Sequence, residues 1–386
     1  MRLLFLKRRL LWPRATGHDV HGYHLMKALQ KQGHSLGLLT IESPTPEAIE
    51  GLDLEYQALL PTQPANEQAP ALPYLLRRFM SYYGVEAHHL AGVRQAVAAY
   101  RPQAVIAEGG DLVPCLAAVD GPLRVWHAAD EYGSQHLNQV RWWNWRTWHH
   151  VRKAAVLMGY ERACGPYCDR VWVVSRADQR WMRRVMGHSR VQVLPNGVDA
   201  EHFQPSLEEW RPHTCVFWGR LDNAFNLEAI LWFVEKVWRG VSIRLPEARF
   251  EIFGFGDDPR LASLAREPGV TIQRNLPDLR ERVRNAAVSV LPFQGGGGVK
   301  NKLLEAAALG LAILATPLGC NGLNGTPPVV VASTPEQWQS RLTELWANPD
   351  RLRSLRRTTR EWVVAEHSWE RTAQLALDDL QTGSGK

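Results

Sequence analysis

Long apolar runs are missing from this 386-residue chain, and none approaches the ~18–20 residues that a membrane-crossing helix needs. Cysteine is scarce. The five, Cys115, Cys164, Cys168, Cys215 and Cys320, are odd in number and scattered. That pattern argues against a disulfide framework and reads as reduced thiols of a cytosolic protein. Cys164 and Cys168 can share a helix face, with His149 and His150 upstream. A zinc site wants tighter pairs, so no metal is expected. The formal net charge is only +6, and no nucleic-acid-binding signature accompanies it, so no nucleic acid is expected. No Gly-x-Gly-x-x-Gly follows the first apolar segment, which argues against a dinucleotide dehydrogenase. The opening "MRLLFLKRRLLW" is interrupted by Lys7, Arg8 and Arg9. It makes a poor signal peptide and a good buried strand, Leu3 to Leu6.

What is present is an ordinary soluble balance, 45% hydrophobic and 22% charged residues, in a chain long enough for two domains. Short apolar segments alternate with helix-like ones. "RLLFLKR", "SLGLLTI", "PQAVIAEG", "PLRVWHAADE" and "DRVWVVS" read as strands, and "LEYQALL" leaves room for one more. "GYHLMKALQKQGH" has helical spacing, and Val140 to Cys164 reads as one long helix. The stretch "VQVLPNGVDAEHFQPSLEEWRP" breaks the pattern with prolines and an Asn196-Gly197 turn. The alternation then restarts through "HTCVFWGR", "ARFEIFGFG", "VTIQRN", "AVSVLPF" and "AILATP". The expected class is α/β, with two doubly wound parallel-sheet domains, the first spanning 1–195 and the second 196–365. Such sheets take ligands beyond the carboxyl ends of their strands, and two of them can face a cleft.

Four segments of the second half follow predicted strands directly: "WGRLDNAFN", "GFGDD", "QRNLPD" and "QGGGGVKNK". Four consecutive glycines before a helix offer bare backbone N–H groups and the positive end of a helix dipole. Arg220, Lys300 and Lys302 add positive charge, and Glu305, placed in the first turn of that helix, suits the hydroxyls of a ribose. Together these describe a nucleoside diphosphate site. The plain alternative is a solvated loop with surface lysines.

"VLPNGVDAEHFQP", "FWGRLDNAFNLEAILWF", "EIFGFGDD" and "GGGGVKNKLLEAAALGLAILAT" resemble the C-terminal domain of retaining GT-B glycosyltransferases. Family four is the nearest, through a branch linked to bacterial exopolysaccharide biosynthesis. The resemblance covers nearly the whole chain. It implies that the helix within 366–386 returns to the first domain. It also implies a nucleotide-diphosphate-sugar donor as substrate, with no cofactor and no metal. The family's Gly-x-Arg turn falls on Gly219 and Arg220, the arginine meeting the donor diphosphate. The lysine that often follows is absent from "NAFNLEA", so Lys300 or Lys302 takes its place. Of the family's paired glutamates only Glu305 is present, and Gly297 stands where the first belongs. The backbone of Gly297 and Gly298 is then left to meet the donor. "QRNLPD" resembles the loop that holds the base, through Arg274 and Asn275. In the first half, Gly17 in "WPRATGHDVHGYHL" is the point of close approach to the donor, flanked by His18 and Asp19. His127 matches a histidine facing the cleft, or else is a core or capping residue. Glu108, at another strand end, contacts the acceptor with His18 and Asp19, or caps; Asp130 and Glu131 are candidate N-caps.

The implied activity is retaining transfer of a sugar to a glycan, a lipid-linked molecule or another hydroxyl acceptor, with His127, Arg220 and Lys302 as catalytic residues. The alternatives are a GT-B nucleotide-sugar epimerase and a non-catalytic sugar-nucleotide or glycan-binding protein. The segment "VRWWNWRTWHHVRK", from Val140 to Lys153, carries four tryptophans among basic residues. It suits peripheral contact with the inner face of a membrane, a packed helix, or stacking on sugar rings.

Overall fold

The computed structural model describes residues 1–12, 17–61, 72–128, 133, 136, 137, 139, 140, 145–276, 278–296 and 299–382. The chain divides into two compact units. One is Met1–Asn196 together with Trp369–Lys386; the other is Gly197–Ser368.

In the first unit the strands are β1 (Arg2–Lys7), β2 (Ser35–Thr40), β3 (Leu54–Leu59), β4 (Ala104–Glu108), β5 (Leu123–Ala128), β6 (Arg170–Val173) and β7 (Val191–Val193). They form a sheet in the order β3-β2-β1-β4-β5-β6-β7, parallel at every pairing. The central strands are apolar and buried along nearly their whole length, as a sheet covered on both faces requires. Helices α1 (Gly17–Lys31), α2 (Pro46–Ile49), α3 (Tyr74–Tyr82), α4 (Ala87–Tyr100), α5 (His149–Cys164) and α6 (Arg176–Met186) connect them. Strand β7 lies inside the segment read from sequence as a break, because three residues flanked by turn formers give too short a pattern. The long helix expected over Val140 to Cys164 is shorter. Helix α5 begins at His149 after a 3₁₀ turn, Trp145–Thr147, and residues 141–144 lie outside the described set.

The second unit repeats the plan. Strands β8 (Arg211–Arg220), β9 (Arg249–Phe255), β10 (Val270–Arg274), β11 (Ala286–Leu291), β12 (Ala312–Ala315) and β13 (Val330–Val331) make a parallel sheet ordered β10-β9-β8-β11-β12-β13. Helix α7 (Ala224–Phe233) runs through a π turn, Val234–Trp238, into α8 (Arg239–Arg244). Helices α9 (Leu261–Leu264) and α10 (Arg280–Val283) are single turns, shorter than their sequence patterns suggest. Helices α11 (Asn301–Ala308), α12 (Pro335–Ala347) and α13 (Pro349–Glu366) complete the unit.

The last helix, α14 (Trp369–Gln381), belongs to the first unit. The Trp369 indole stacks on His24 at 5.1 Å and meets His21 edge-on at 5.1 Å. Thr372 donates to the Pro195 carbonyl at 2.9 Å, and Trp172 donates to Asp379 at 2.8 Å. Buried Leu377 and Leu380 join Leu25, Leu29 and Leu38 in one apolar cluster. No described helix is long and apolar enough to cross a membrane.

Candidate functional site

Each sheet has one point where strand order reverses direction, and parallel sheets of this kind hold ligands beyond the carboxyl ends of the strands there. In the first unit the reversal lies between β1 and β4, whose last residues are Lys7 and Glu108. In the second it lies between β8 and β11. Strand β8 ends in Gly219 and Arg220, and the glycine loop follows β11.

At the first reversal Lys7 Nζ donates to Glu108 Oε2 at 3.0 Å and lies 3.6 Å from Asp19. It is also 3.0 Å from His18 Nδ1. Glu108 and His127 are register partners on β4 and β5, and His127 Nδ1 lies 3.2 Å from Glu108 Oε1. All of Lys7, Glu108, His127 and His21 are buried. Burial pushes the Glu108 carboxyl up, but the Lys7 ammonium and the His127 bond outweigh it and hold it well below the usual range. Burial, and then the charge of Lys7, lowers His18 to about 4. The His21 ring lies 4.6 Å from that of His127, and burial lowers its pKa as well.

Of the residues expected here, His18, Asp19, Glu108 and His127 are brought together. His127 is fully buried among Glu108, His21 and Trp172, which is the core alternative of its reading. Glu108 is neither a cap nor an exposed contact, because both its oxygens are engaged by Lys7 and His127. Gly17 opens α1, next to His18. Asp130 and Glu131 lie outside the described residues. Lys7 and His21 went unread in the sequence. Lys7 looked like the charged end of an apolar run, and its partner is 101 positions away.

At the second reversal, Gly219 has φ +139° and pairs with Gly254 across β8 and β9. The Lys302 side chain lies over Gly219 and donates to Asn226 Oδ1 at 3.2 Å. Asn226 in turn donates to the Arg220 carbonyl at 2.7 Å. Lys302 thus reaches the segment that lacks a lysine of its own. Burial lowers its pKa, and Glu305 counters in part. Lys300 donates to the Gly296 carbonyl at 3.1 Å and lies over the Phe293 ring; burial and then Lys302 lower it to about 8. Arg220 is exposed and held by Asp222 in a two-point ion pair of 3.0 and 2.8 Å. Glu305 accepts from Trp218 Nε1 at 2.8 Å. It stands in the second turn of α11, not the first, because that helix begins only at Asn301. Arg274 is the last residue of β10, not part of a loop, and pairs with Asp257. Asn275 follows in a left-handed conformation, φ +57°, its N–H bonded to the Gly254 carbonyl at 2.8 Å. Gly297 and Gly298 lie outside the described residues. Asp222, Asn226 and Trp218 were missed in the sequence, since their part is to hold the expected residues.

Among the described residues no group of three His, Cys, Asp or Glu side chains is arranged to hold a metal ion. The five cysteines are free thiols.

The two parallel-sheet, Rossmann-like units match the GT-B architecture. The chain belongs among the GT-B glycosyltransferases. Residues 15–202 match the model described as Glycosyltransferase Family 4, and residues 212–348 match that of Glycosyl transferases group 1. A phosphatidyl-myo-inositol mannosyltransferase of Mycolicibacterium smegmatis is 28% identical over 181 residues, which span 43% of this chain and 45% of that protein. HepE from Anabaena, solved with UDP and glucose, superposes with a TM-score of 0.65 at 12% identity, covering 98% of this chain and 99% of that one. Sucrose-phosphate synthase from Thermosynechococcus elongatus gives 0.67 at 16% identity over all of both chains.

Proposed function

We propose that the protein is a retaining glycosyltransferase, independent of metal, that moves a sugar from a nucleotide-diphosphate sugar to a hydroxyl acceptor. The acceptor class is a glycan or a lipid-linked molecule of cell-surface polysaccharide assembly. The observation that carries this reading is the Lys302 ammonium lying over the bare backbone of Gly219, beside Arg220 and the start of α11. An ammonium and a guanidinium beside the start of a helix suit a leaving diphosphate.

In this reading Arg220, Lys300, Lys302 and the amides of Gly297 and Gly298 receive the diphosphate. Glu305 receives the ribose, and Arg274 and Asn275 the base. Gly17 lies close to the donor, His127 orients the sugar or the acceptor, and His18 and Asp19 serve the acceptor. Positive charge develops on the sugar ring as the diphosphate departs. The protein works in the cytoplasm. Peripheral contact with the inner face of the membrane would use the Trp-rich segment, of which Trp145 and Trp148 are exposed.

The uridine nucleotide is the first donor to test, because HepE was solved with UDP. Calorimetry with UDP, GDP, ADP and dTDP should single out one nucleotide. With the matching sugar nucleotide, NMR of the product should show the anomeric configuration of the donor preserved. Inversion would overturn the retaining assignment. Nucleotide release without any acceptor would favour an epimerase, and binding without turnover a binding protein.

A further inference from the structure

At the carboxyl edge of the first sheet three imidazoles surround an ammonium and a carboxylate, and each bond they make has one possible direction. An ammonium only donates. Lys7 Nζ is 3.0 Å from His18 Nδ1, so that nitrogen carries the lone pair and the proton of the neutral ring sits on Nε2. An ionised carboxylate only accepts. Glu108 Oε1 is 3.2 Å from His127 Nδ1, so a proton sits there, and in the neutral ring Nε2 carries the lone pair. A carbonyl also only accepts. The Leu194 oxygen is 3.3 Å from His21 Nε2, which leaves the lone pair of His21 on Nδ1. The other three nitrogens, His18 Nε2, His127 Nε2 and His21 Nδ1, are buried and have no hydrogen-bond partner among the described residues.

We propose that Lys7 is a positioning residue: through His18 directly, and through Glu108 to His127, it sets the rings so that the cluster presents one N–H and two lone pairs to a ligand hydroxyl. This rests on the reading that the site at His127 receives the sugar or the acceptor. A hydroxyl both accepts and donates, so it satisfies nitrogens of both kinds. A phosphate or carboxylate only accepts and would face two lone pairs. A cation would meet the Lys7 ammonium, which already holds the place between Glu108, Asp19 and His18. The buried polar set therefore suits a neutral polyol.

The protonation states follow from the neighbours. His18 is faced by Lys7 from β1, Glu108 from β4, His127 from β5, and Asp19 and His21 on its own helix. Burial and Lys7 keep it neutral down to about pH 4. His127 is faced by Glu108, His18 and His21, with Trp172 edge-on.

Histidine ¹⁵N spectra of the whole chain near pH 7 test this, with resonances assigned from His18→Gln, His21→Gln and His127→Gln. The expected result is a proton on Nε2 of His18, on Nδ1 of His127 and on Nε2 of His21. A proton on Nδ1 of His18 or Nε2 of His127, or on both nitrogens of either ring, overturns the proposal. Lys7→Met keeps most of the side-chain stem and removes the ammonium. In the folded variant His18 should titrate above pH 4, having lost the repulsion of Lys7. Turnover should fall on the order of 10²-fold, from misplaced groups. Nucleotide affinity, measured separately, should stay within about twofold, since a loss confined to kcat marks a group that does not hold the ground state. An unchanged His18 tautomer together with unchanged turnover in Lys7→Met would also overturn it. Should that variant fail to fold, the spectra of the parent decide. Correct tautomers in a protein that binds no nucleotide would strike the glycosyltransferase reading alone.

Discussion

A β-carbon added to Gly219 would lie 2.3 Å from Cε of Lys302 and 2.7 Å from its ammonium nitrogen. The absence of a side chain on β8 is thus what lets a charge from α11 settle on that strand's end. Lys302 is then anchored by Asn226, which also holds the Arg220 carbonyl. One glycine, one asparagine and one lysine form a linked support beside Arg220.

Gly219→Ala should therefore fail in two ways. Its φ of +139° is one that L side chains rarely adopt, and such strain costs about 1–3 kcal/mol. The methyl also displaces Lys302 and breaks its bond to Asn226. We expect a lower melting temperature and weaker binding of nucleoside diphosphate. Calorimetry showing full affinity in the folded variant would detach Lys302 from the diphosphate.

Lys300 gives a pH signature. Burial and Lys302 lower it from 10.5 to about 8 in the folded chain, so between those values the unfolded chain binds more protons. Stability from this group is therefore lower below pH 8 and rises as pH climbs from about 8 to about 10.5. An anionic ligand favours the ammonium, so nucleotide affinity should fall as pH passes 8, with proton uptake on binding. Titrations in buffers of different ionisation enthalpy measure that uptake. Lys300→Met should abolish both trends.

Gly22 in α1 meets Glu108 as closely as Gly219 meets Lys302. A β-carbon there would lie 2.1 Å from Glu108 Oε2. Glu108 cannot swing aside without leaving Lys7 and His127, so Gly22→Ala should cost roughly 2–4 kcal/mol. Gly159 in α5 is the control. Its β-carbon would make an ordinary 3.5 Å contact with Leu75, so Gly159→Ala should gain roughly 0.5–1 kcal/mol from helix propensity. Denaturant melts of the two variants should move in opposite directions.

Glu305→Gln can keep the bond from Trp218, since an amide oxygen still accepts. What it loses is charge. Affinity for the nucleotide should drop roughly three- to tenfold, the worth of one weakened hydrogen bond, while pyrophosphate binding holds. Equal loss for both would make Glu305 a partner of Lys302 rather than of the ribose.

Much of this arrangement was legible because parallel strands announce themselves as short apolar runs with polar residues at their carboxyl ends. Glu108 was found by that position, and His127, Gly219 and Arg220 by it together with the family resemblance. The same logic failed for Lys7, which also ends a strand but stands before two arginines and so looked solvated. Its burial depends on Glu108 and Asp19, brought to it by strand pairing that no local window contains. Gly22 carries no local sign either, as its need for a bare α-carbon comes from another strand's carboxylate. Lys302 was read as a stand-in for the absent lysine, but its bond to Asn226 joins residues 76 positions apart, which no local window contains. Glu305 was set one turn too early, since it is the fifth residue of a helix that begins at Asn301.

The return of α14 to the first unit has a consequence for how the chain is made. The first unit is interrupted: its sheet is complete by Val193, yet the helix that seals His21, His24 and Trp172 starts 172 residues after Asn196 has been passed, at Trp369. During synthesis, which proceeds from the N-terminus, the second unit, Gly197–Ser368, has all its parts before the first does. The earlier half must then wait, with the α1 face that receives Trp369 still bare, until α14 has been made. A chain that stops at residue 368 and is released should therefore hold a protected second unit and a first unit open to protease.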